Sequence, residues 1–408
     1  MSCPYSLLKE KSSRSPESFA GFLKHQGKVF WSPEEQFWVI SDYAIAERLL
    51  KGQVLSADRS PFFAVRHAHI PPSMVSNFLN AVGNMMVTND APRHTALRKL
   101  GMGGISDHVL DNFRQSVEDT TDFLLARLED RARFDFVKDI AVDLPSIVLA
   151  ELFCVSKEDR DAFYTCANHM TQFFGSASDA TLQMAQDAEA SAVFLKGYFK
   201  RAIDERRASP RKDYIGQMMQ HSEAIGLSED EITSQATMML VAGKVTTTDQ
   251  MANNMFLLLD KPENGPSVWT QVAANLDRLA LALEEATRLD PSVNFVFRTV
   301  KEDLSLEGQH LKAGDTVFIS AHAVNRDADV FFNPDEFSLN RSKNLHFSYG
   351  HGSHICLGAR LARLQMNILF GKLLRRYPSL RLESVVRKHQ SLGFSGFESM
   401  VVDSHIPI

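Results

Sequence analysis

One stretch of this chain constrains its fold more than any other: a helical pattern about thirty residues long. The pattern begins at Ser228, which has the spacing of a capping box with Glu231. It ends at Leu259, shortly before a proline. At 1.5 Å per residue such a helix is roughly 45 Å long, enough to cross a domain. Lys244 and Asp249 interrupt its apolar residues, so the pattern predicts a buried central helix and not a membrane span.

A glycine-rich segment from Tyr349 to Gly358 presents one cysteine, Cys356, ahead of a helical pattern over residues 359–377. Glycines allow positive φ and close approach to a flat group, and amides at a helix N-terminus stabilise negative charge on sulfur. A lone cysteine is more often a small buried apolar residue than a ligand. In this setting, however, Cys356 is a candidate thiolate ligand for a haem iron.

Two pairs of charged residues lie on further helical patterns. Glu285 and Arg288 are three residues apart within the amphipathic stretch 276–289, as a helical ion pair would be. His94 and Arg98 are four apart, so an imidazole and a guanidinium can point the same way and offer donors to carboxylates. Taken alone, each pair also fits an ordinary solvated helix face.

Together these segments resemble the cysteine loop, the buried Glu–Arg pair and the propionate-binding helix of the cytochrome P-450 family, and the resemblance runs from about residue 28 to about residue 398. It implies one mainly α-helical domain over residues 1–408 with small β-sheets, and haem b between the central helix and the helix after the cysteine loop. Cys356 would be the axial ligand, and the Glu–Arg pair would brace its loop. The residues that match propionate ligands are His94, Arg98, Arg298 and His354.

Residues 242–248 resemble the family's oxygen-activating stretch, with one departure. Gly243 would leave room above the iron, and the hydroxyls of Thr246 and Thr247 would help to deliver protons. Val245 stands where most members have a carboxylate. Protons would then pass through the threonines and ordered water, or through a polar group on the substrate. The departure also leaves open oxidative coupling, desaturation or peroxide-driven oxidation.

Two smaller departures lie near the cysteine. Tyr349 stands where the loop usually has Phe, so its hydroxyl would need a partner if buried. Glu336 stands where many members have the arginine that completes the Glu–Arg network, and Arg341 is a candidate for that third partner.

Phenylalanines occupy several places that line the substrate pocket in the family. The chain has 28 of them, so any one taken alone is better explained as core than as pocket wall, but together they favour an apolar substrate. His67 and His69 lack the neighbours of a metal site; they, or Lys244, would instead meet a carboxylate on the substrate. The pocket candidates are Phe78, Phe173, Phe174, Val241, Ala242, Lys244, Val245, Phe295 and Phe394, with Phe62 and Phe63 in the first segment.

Net charge and the cysteines limit which further functions the chain can have. A net charge of −6 without a dominant basic run argues against nucleic-acid binding. Cys3, Cys154 and Cys166 form no paired or CxxC framework, which predicts a reducing compartment.

The first residues lack the apolar core of a signal peptide or anchor, which predicts a cytoplasmic protein. Near them, runs at 28–31 and 37–40 predict a hairpin, followed by a helix over 42–50.

The chain has no Gly-rich dinucleotide fingerprint, so electrons from NAD(P)H would arrive through a ferredoxin and its reductase. The resemblance predicts a monooxygenase of secondary metabolism that uses O2 to oxidise a small hydrophobic metabolite, either free or bound to a carrier protein. A non-catalytic haem sensor is the alternative outside enzymes.

A run of basic residues follows the cysteine. It forms either an ordinary solvated face or a docking surface for an acidic electron donor. Its members are Arg360, Arg363, Lys372, Arg375 and Arg376, with Arg93 and Lys99 near the predicted propionate ligands.

Overall fold

The computed structural model describes residues 15–105, 107–176, 180–260, 265–341, 343–388 and 393–404; Cys3 lies outside them. Its mainly helical architecture with small β-sheets confirms the predicted fold class. The α-helices are α1 Pro16–Gln26, α2 Tyr43–Lys51, α3 Ser60–Arg66, α4 Ser76–Gly83, α5 Arg93–Gly104, α6 Asp107–Ala126, α7 Asp143–Leu152, α8 Arg160–Gly175, α9 Leu182–Ala208, α10 Tyr214–Ile225, α11 Glu229–Leu259, α12 Val268–Ala274, α13 Leu279–Leu289, α14 Ala321–Val324 and α15 Ala359–Arg376.

Shorter elements connect these helices. The strands are β1 Val29–Ser32, β2 Phe37–Ile40, β3 Leu55–Ser56, β4 Arg133–Asp135, β5 Phe295–Val300, β6 Leu304–Leu306, β7 Gln309–Leu311, β8 Thr316–Ser320, β9 Arg381–Arg387 and β10 Phe397–Asp403. Single 3₁₀ turns occupy Pro72–Val75, Met86–Thr88, Leu276–Arg278 and Gly352–His354, and a π turn occupies Val137–Ala141.

The chain divides into two compact units. The first unit takes its residues from 1–54, 117–145 and 246–408, and the second unit from 55–116 and 146–245. The expected single domain over residues 1–408 stays a prediction beside this division.

The sheet of the first unit contains the predicted hairpin. Strands β1 and β2 pair antiparallel with Val29 opposite Ile40, β2 runs parallel to β8, and β8 pairs antiparallel with β5. Helix α2 begins one residue later than its pattern because Asp42 is the N-cap, accepting a hydrogen bond from the Ile45 amide at 2.9 Å. In the same unit β9, β10 and β4 form a second sheet, in the order β4-β10-β9.

The second unit is built around helices α8 and α9. Their packing is aromatic: the ring of Phe199 on α9 lies 5.8 Å from that of Phe163 on α8, and it lies 5.2 Å from that of Phe153, which follows α7. Edge-to-face and tilted rings at these distances add to the free energy gained by burying their area.

The long central helix is present as predicted. Helix α11 spans 31 residues. Its start is the capping box: the Ser228 amide donates to the Glu231 carboxylate at 2.8 Å, and the Glu231 amide donates to the Ser228 hydroxyl at 3.3 Å. Within the described ranges, no helix combines the length and the apolar run that crossing a bilayer requires.

Candidate active site

The cysteine loop needs glycine at two positions. Gly350 and Gly352 have φ of 73° and 71°, a region that other residues avoid, and a Cβ on Gly352 would collide with the carbonyl oxygen of Leu50. The Cys356 amide donates to the Tyr349 carbonyl at 2.7 Å, which closes the loop. Cys356 is exposed and lies two residues before Gly358, the N-cap of α15.

The Glu–Arg pair is buried and forms the centre of a network. The side chains of Arg288 and Glu285 are 0 % and 1 % exposed, and two hydrogen bonds of 2.9 and 2.7 Å join them. Arg341 donates to the same carboxylate from Nε and Nη2 at 3.1 to 3.2 Å, so it is the third partner that the sequence suggested. Burial would raise the pKa of Glu285, but hydrogen bonds from both arginines outweigh that effect and lower it.

Asn325 connects this pair to the cysteine loop. Its side-chain oxygen Oδ1 accepts from the Phe347 amide at 2.6 Å, and its side-chain nitrogen donates to the Ser348 hydroxyl at 2.9 Å. The same nitrogen donates to the Arg288 carbonyl at 3.0 Å, and Arg288 Nη1 returns a bond to the Asn325 carbonyl at 2.8 Å. The brace therefore reaches the loop through an amide that sequence reasoning missed, because no local pattern marks Asn325.

A second missed residue is Glu284, the neighbour of Glu285. It accepts hydrogen bonds from Arg363 at 2.7 and 2.8 Å and lies 3.3 Å from His346 Nε2. Burial alone would raise the pKa of Glu284, but the bonds from His346 and Arg363 prevail and lower it to about 2. The guanidinium of Arg363 also lies 4.3 Å above the ring of Tyr349.

Tyr349, at the position where the family's loop usually has Phe, carries a hydroxyl that is unfavourable to bury. Its hydroxyl is buried and has no hydrogen-bond partner among the described residues, and burial raises its pKa. The cation–π contact with Arg363 offsets part of this cost. Glu336, at the other departure, bonds Asn333 through its carboxylate and accepts from Arg288 through its backbone carbonyl at 3.2 Å.

The central helix is partly exposed over residues 242–246, the stretch that was predicted to activate oxygen, although residues on either side are buried. Ala242 is exposed, and Gly243, Val245 and Thr246 are half-buried, whereas Thr247 is 7 % exposed. Ala242, Gly243, Val245 and Thr246 therefore form a strip that is partly open to solvent on a helix that is otherwise buried.

Lys244 turns away from that exposed strip. It is 6 % exposed, its ammonium donates to the Asn168 side chain at 2.8 Å, and it lies 6.0 Å from the centre of the Tyr164 ring. Thr171, on the same face of α8 as Asn168, donates to the Val241 carbonyl at 3.2 Å. Lys244 and Val241 therefore serve the packing of α11 on α8 in this structure.

The candidate propionate ligands lie on three elements. In the second unit, His94 and Arg98 share one face of α5; His94 is 3 % exposed and Arg98 is half-buried. In the first unit, Arg298 lies on β5 and donates to the Phe297 carbonyl at 2.6 Å, and His354 ends the 3₁₀ turn before Cys356. Both are half-buried.

The aromatic pocket candidates of the second unit do come together. The ring of Phe78 lies 4.9 Å from Phe173 and 6.0 Å from Phe63, and Phe63 lies 6.1 Å from Phe174. His67 stacks on Phe173 at 4.7 Å. We call these five residues, together with Phe62 at 5.9 Å from Phe63, the aromatic cluster.

His67 and His69 have partners that fit structural roles. His67 Nε2 lies 3.2 Å from the Ser176 hydroxyl, and His69 Nε2 lies 2.8 Å from the Ala180 carbonyl. Among the described residues no three His, Cys, Asp or Glu side chains form a metal-binding group.

The two pocket candidates of the first unit differ from each other. Phe295 is 5 % exposed and packs edge-on against Phe19 at 5.9 Å and Phe318 at 5.4 Å, as a core residue does. Phe394 is half-buried, in a turn that pairs with Val293.

Ion pairs neutralise much of the basic run after the cysteine. Arg363 binds Glu284, Lys372 lies 2.6 Å from Asp122, and Arg376 lies 3.1 Å from Glu129. A docking surface for an acidic protein would therefore depend less on this run than its residue count suggests.

These residues fit a haem. A porphyrin supplies four nitrogens, so the iron needs one protein ligand, and the thiol of the exposed Cys356 in a braced glycine loop is the right donor. Imidazole and guanidinium groups, which His94, Arg98, Arg298 and His354 offer, suit propionates.

The family model for cytochrome P-450 matches residues 16–392. The chain belongs to the cytochrome P-450 family. Members of this family bind haem b through a cysteine thiolate and are oxidoreductases that incorporate oxygen from O2 and need redox partners, so this cytochrome P-450 is an enzyme of that class.

Bacterial relatives match almost the whole chain. The biotin biosynthesis cytochrome P-450 of Bacillus subtilis is 29% identical over 98% of this chain and 95% of the relative. The polyketide biosynthesis cytochrome P-450 PksS of the same species is 32% identical over 90% of this chain and 88% of the relative. The crystal structure of cytochrome P-450 BioI, in complex with acyl carrier protein ligated to hexadec-9Z-enoic acid, has a TM-score of 0.87 at 27% identity and covers 97% of this chain and 99% of that one.

Proposed function

We propose that this cytochrome P-450 oxidises an apolar metabolite at a haem whose iron is ligated by Cys356. The observation that carries the proposal is the exposed Cys356, held in a glycine loop that Asn325 links to the buried Glu285–Arg288 pair. Haem b, when bound, supplies the activation of dioxygen. The protein contributes orientation and protons.

Four residues would hold the haem propionates: His94, Arg98, Arg298 and His354. Three of them are half-buried, and His94 is buried, as donors to a largely enclosed carboxylate should be. The ligands would be two imidazoles and two guanidiniums, so the two negative charges would be matched by fixed donors and not by mobile lysines.

Thr246, with Thr247, would hold and pass the protons that the reaction consumes. Thr246 is half-buried in the exposed strip of α11, where a hydroxyl can reach both water and a bound ligand. Val245 is half-buried beside it and offers no carboxylate. The route therefore depends on hydroxyls and water, or on a polar group that the substrate brings.

The aromatic cluster favours an apolar substrate. Phe78 and Phe173 are 0 % and 1 % exposed, so a ligand that reached them would leave water almost completely. A ligand carrying an acyl chain fits such a wall. Attachment to a carrier protein is supported by the relative that was crystallised with an acyl carrier protein. The predicted cytoplasmic location, the ferredoxin and its reductase stay predictions.

A haem-absorbance titration tests the substrate proposal. The purified protein would be titrated with fatty acids, terpenoid acids, macrolides and an acyl chain loaded on a carrier protein. A shift of the resting iron to high spin with any apolar compound is the expected result, because such a ligand displaces axial water. No shift with any member of this panel would contradict the proposal, and a shift with the carrier-bound chain alone would identify a tethered substrate.

Ordinary monooxygenation is the first expectation, and the Val245 departure keeps oxidative coupling, desaturation and peroxide-driven oxidation as second candidates. Product analysis under labelled dioxygen separates monooxygenation from these candidates. Monooxygenation places one labelled oxygen atom in the product, whereas coupling, desaturation and oxidation driven by unlabelled peroxide place none.

A further inference from the structure

Helix α4 brings Phe78 into the aromatic cluster, yet it has no cap of its own. Its N-cap position is Val75, whose side chain makes no capping hydrogen bond. The first amides of a helix need acceptors, and an uncapped N-terminus is correspondingly less stable. The acceptor in this structure comes from another helix.

Glu189, on α9, supplies that acceptor. Its carboxylate accepts from the Asn77 amide at 3.0 and 3.1 Å and from the Phe78 amide at 3.0 Å. The Asn77 side-chain amide donates a further hydrogen bond to the same carboxylate at 2.7 Å. A carboxylate at a helix N-terminus also interacts favourably with the helix dipole. One half-buried side chain thus ties the start of α4 to a helix 112 residues further along the chain.

The other end of α4 is held differently. Asn84, which follows its last turn, gives its carbonyl to the side-chain amide of Gln235 and its side-chain oxygen to Arg93 at 2.7 Å. Gln235 is 0 % exposed and also accepts from the Met86 amide at 3.0 Å. This end is therefore fixed to the central helix by a fully buried group, whereas the N-terminal end depends on a group that water can reach.

The two faces of α4 also have different surroundings. Its apolar face packs Phe78 on Phe173 and Phe63, while Asn77 and Asn80 line a small cleft shared with α9 and the start of α11. A ligand that lies against the rings of Phe78 and Phe173 must first separate packed elements, because both rings are almost completely buried. Of the two ends of α4, the one held by Glu189 is the easier to release.

We infer that Glu189 is a positioning residue that controls how apolar ligands reach the aromatic cluster. When its carboxylate holds the Asn77 and Phe78 amides, α4 is closed over Phe173. When these bonds break, α4 pivots on its Asn84 end and exposes Phe78. This inference rests on the proposed function insofar as the ligand is apolar.

Glu189→Gln tests it, with Asp187→Asn as the matched control. Asp187 lies on α9 two residues earlier, and its carboxylate accepts from Gln183 of the same helix, so its neutralisation removes the same charge and leaves α4 untouched. Glu189→Asp keeps the carboxylate and should restore most of the wild-type behaviour. Two measurements on the haem-loaded proteins are needed: hydrogen exchange of the Asn77 and Phe78 amides, and the stopped-flow association rate of 4-phenylimidazole.

Glu189→Gln should speed both exchange and association about tenfold, the factor expected when hydrogen bonds to a charged acceptor are weakened. Asp187→Asn should change neither. Unchanged exchange in Glu189→Gln would show that Glu189 does not hold α4, and faster exchange with an unchanged association rate would show that ligands take another route. Either result overturns the inference.

Asn77→Ala provides a milder version should Glu189→Gln fail to fold, since it removes one bond and should raise both rates a few-fold. A failure of the proposed function would look different. In that case no apolar compound would shift the iron of any variant to high spin, while the exchange of the two amides would still report on Glu189.

Discussion

Asn325→Ala should destabilise the protein by about 3 to 4 kcal/mol. The change removes the bonds from the Phe347 amide and to the Ser348 hydroxyl and the Arg288 carbonyl, each worth about 1 kcal/mol. The Phe347 amide is buried, and leaving it without its acceptor adds roughly 1 kcal/mol or more. Because Asn325 is the link between Arg288 and the cysteine loop, the loss should concentrate at Cys356.

Two measurements check this prediction. Urea unfolding gives the loss of stability, and the absorbance of the reduced carbon monoxide complex gives the fraction of haem that keeps its thiolate ligand. Asn367→Ala is the control, since that amide makes a single bond, to the Arg363 carbonyl at 2.8 Å, and should cost about 1 kcal/mol with thiolate ligation intact. A loss below about 1 kcal/mol for Asn325→Ala, or full ligation despite a large loss, would refute the bracing role.

Three other outcomes follow from the site. Gly352→Ala should lower haem content and stability by roughly 2 kcal/mol or more, since its φ is 71° and its Cβ would meet the Leu50 carbonyl; wild-type melting and haem content would contradict this. The pKa of Glu284 is about 2 in the folded protein against 4.5 unfolded, so its stabilising effect is complete above pH 4.5 and is lost as pH falls towards 2. Wild type should therefore lose about 1 kcal/mol at pH 4 and about 2 kcal/mol at pH 3 relative to Glu284→Gln in urea unfolding, and parallel pH profiles would exclude this origin. Thr246→Ala should raise the reductant consumed per product several-fold; an unchanged ratio would remove Thr246 from proton delivery.

Local patterns explain which features were predictable. The capping box at Ser228, the length of α11 and the pairing of Glu285 with Arg288 depend on spacings of three or four residues, and these spacings can be counted in a sequence. Arg341 could be suggested because the family's network needs a third charge, and the structure confirms it at Glu285.

Long-range contacts explain what was missed. Asn325 binds partners 22 and 37 residues away, and Glu189 caps a helix 112 residues before it, so no window of sequence contains both partners. The ion pairs that neutralise Lys372 and Arg376 come from acids some 250 residues earlier. A run of basic residues in a sequence therefore overstates the charge that a partner would meet.

The central claim is that Cys356 is the thiolate ligand of the haem iron, and the absorbance spectrum of the reduced carbon monoxide complex tests it most directly. The wild-type protein should show the strongly red-shifted Soret band that a thiolate ligand produces, and Cys356→Ser should lose it while Cys166→Ser and Cys154→Ser retain it. A wild-type spectrum without that band, or a Cys356→Ser spectrum that keeps it, would contradict the account.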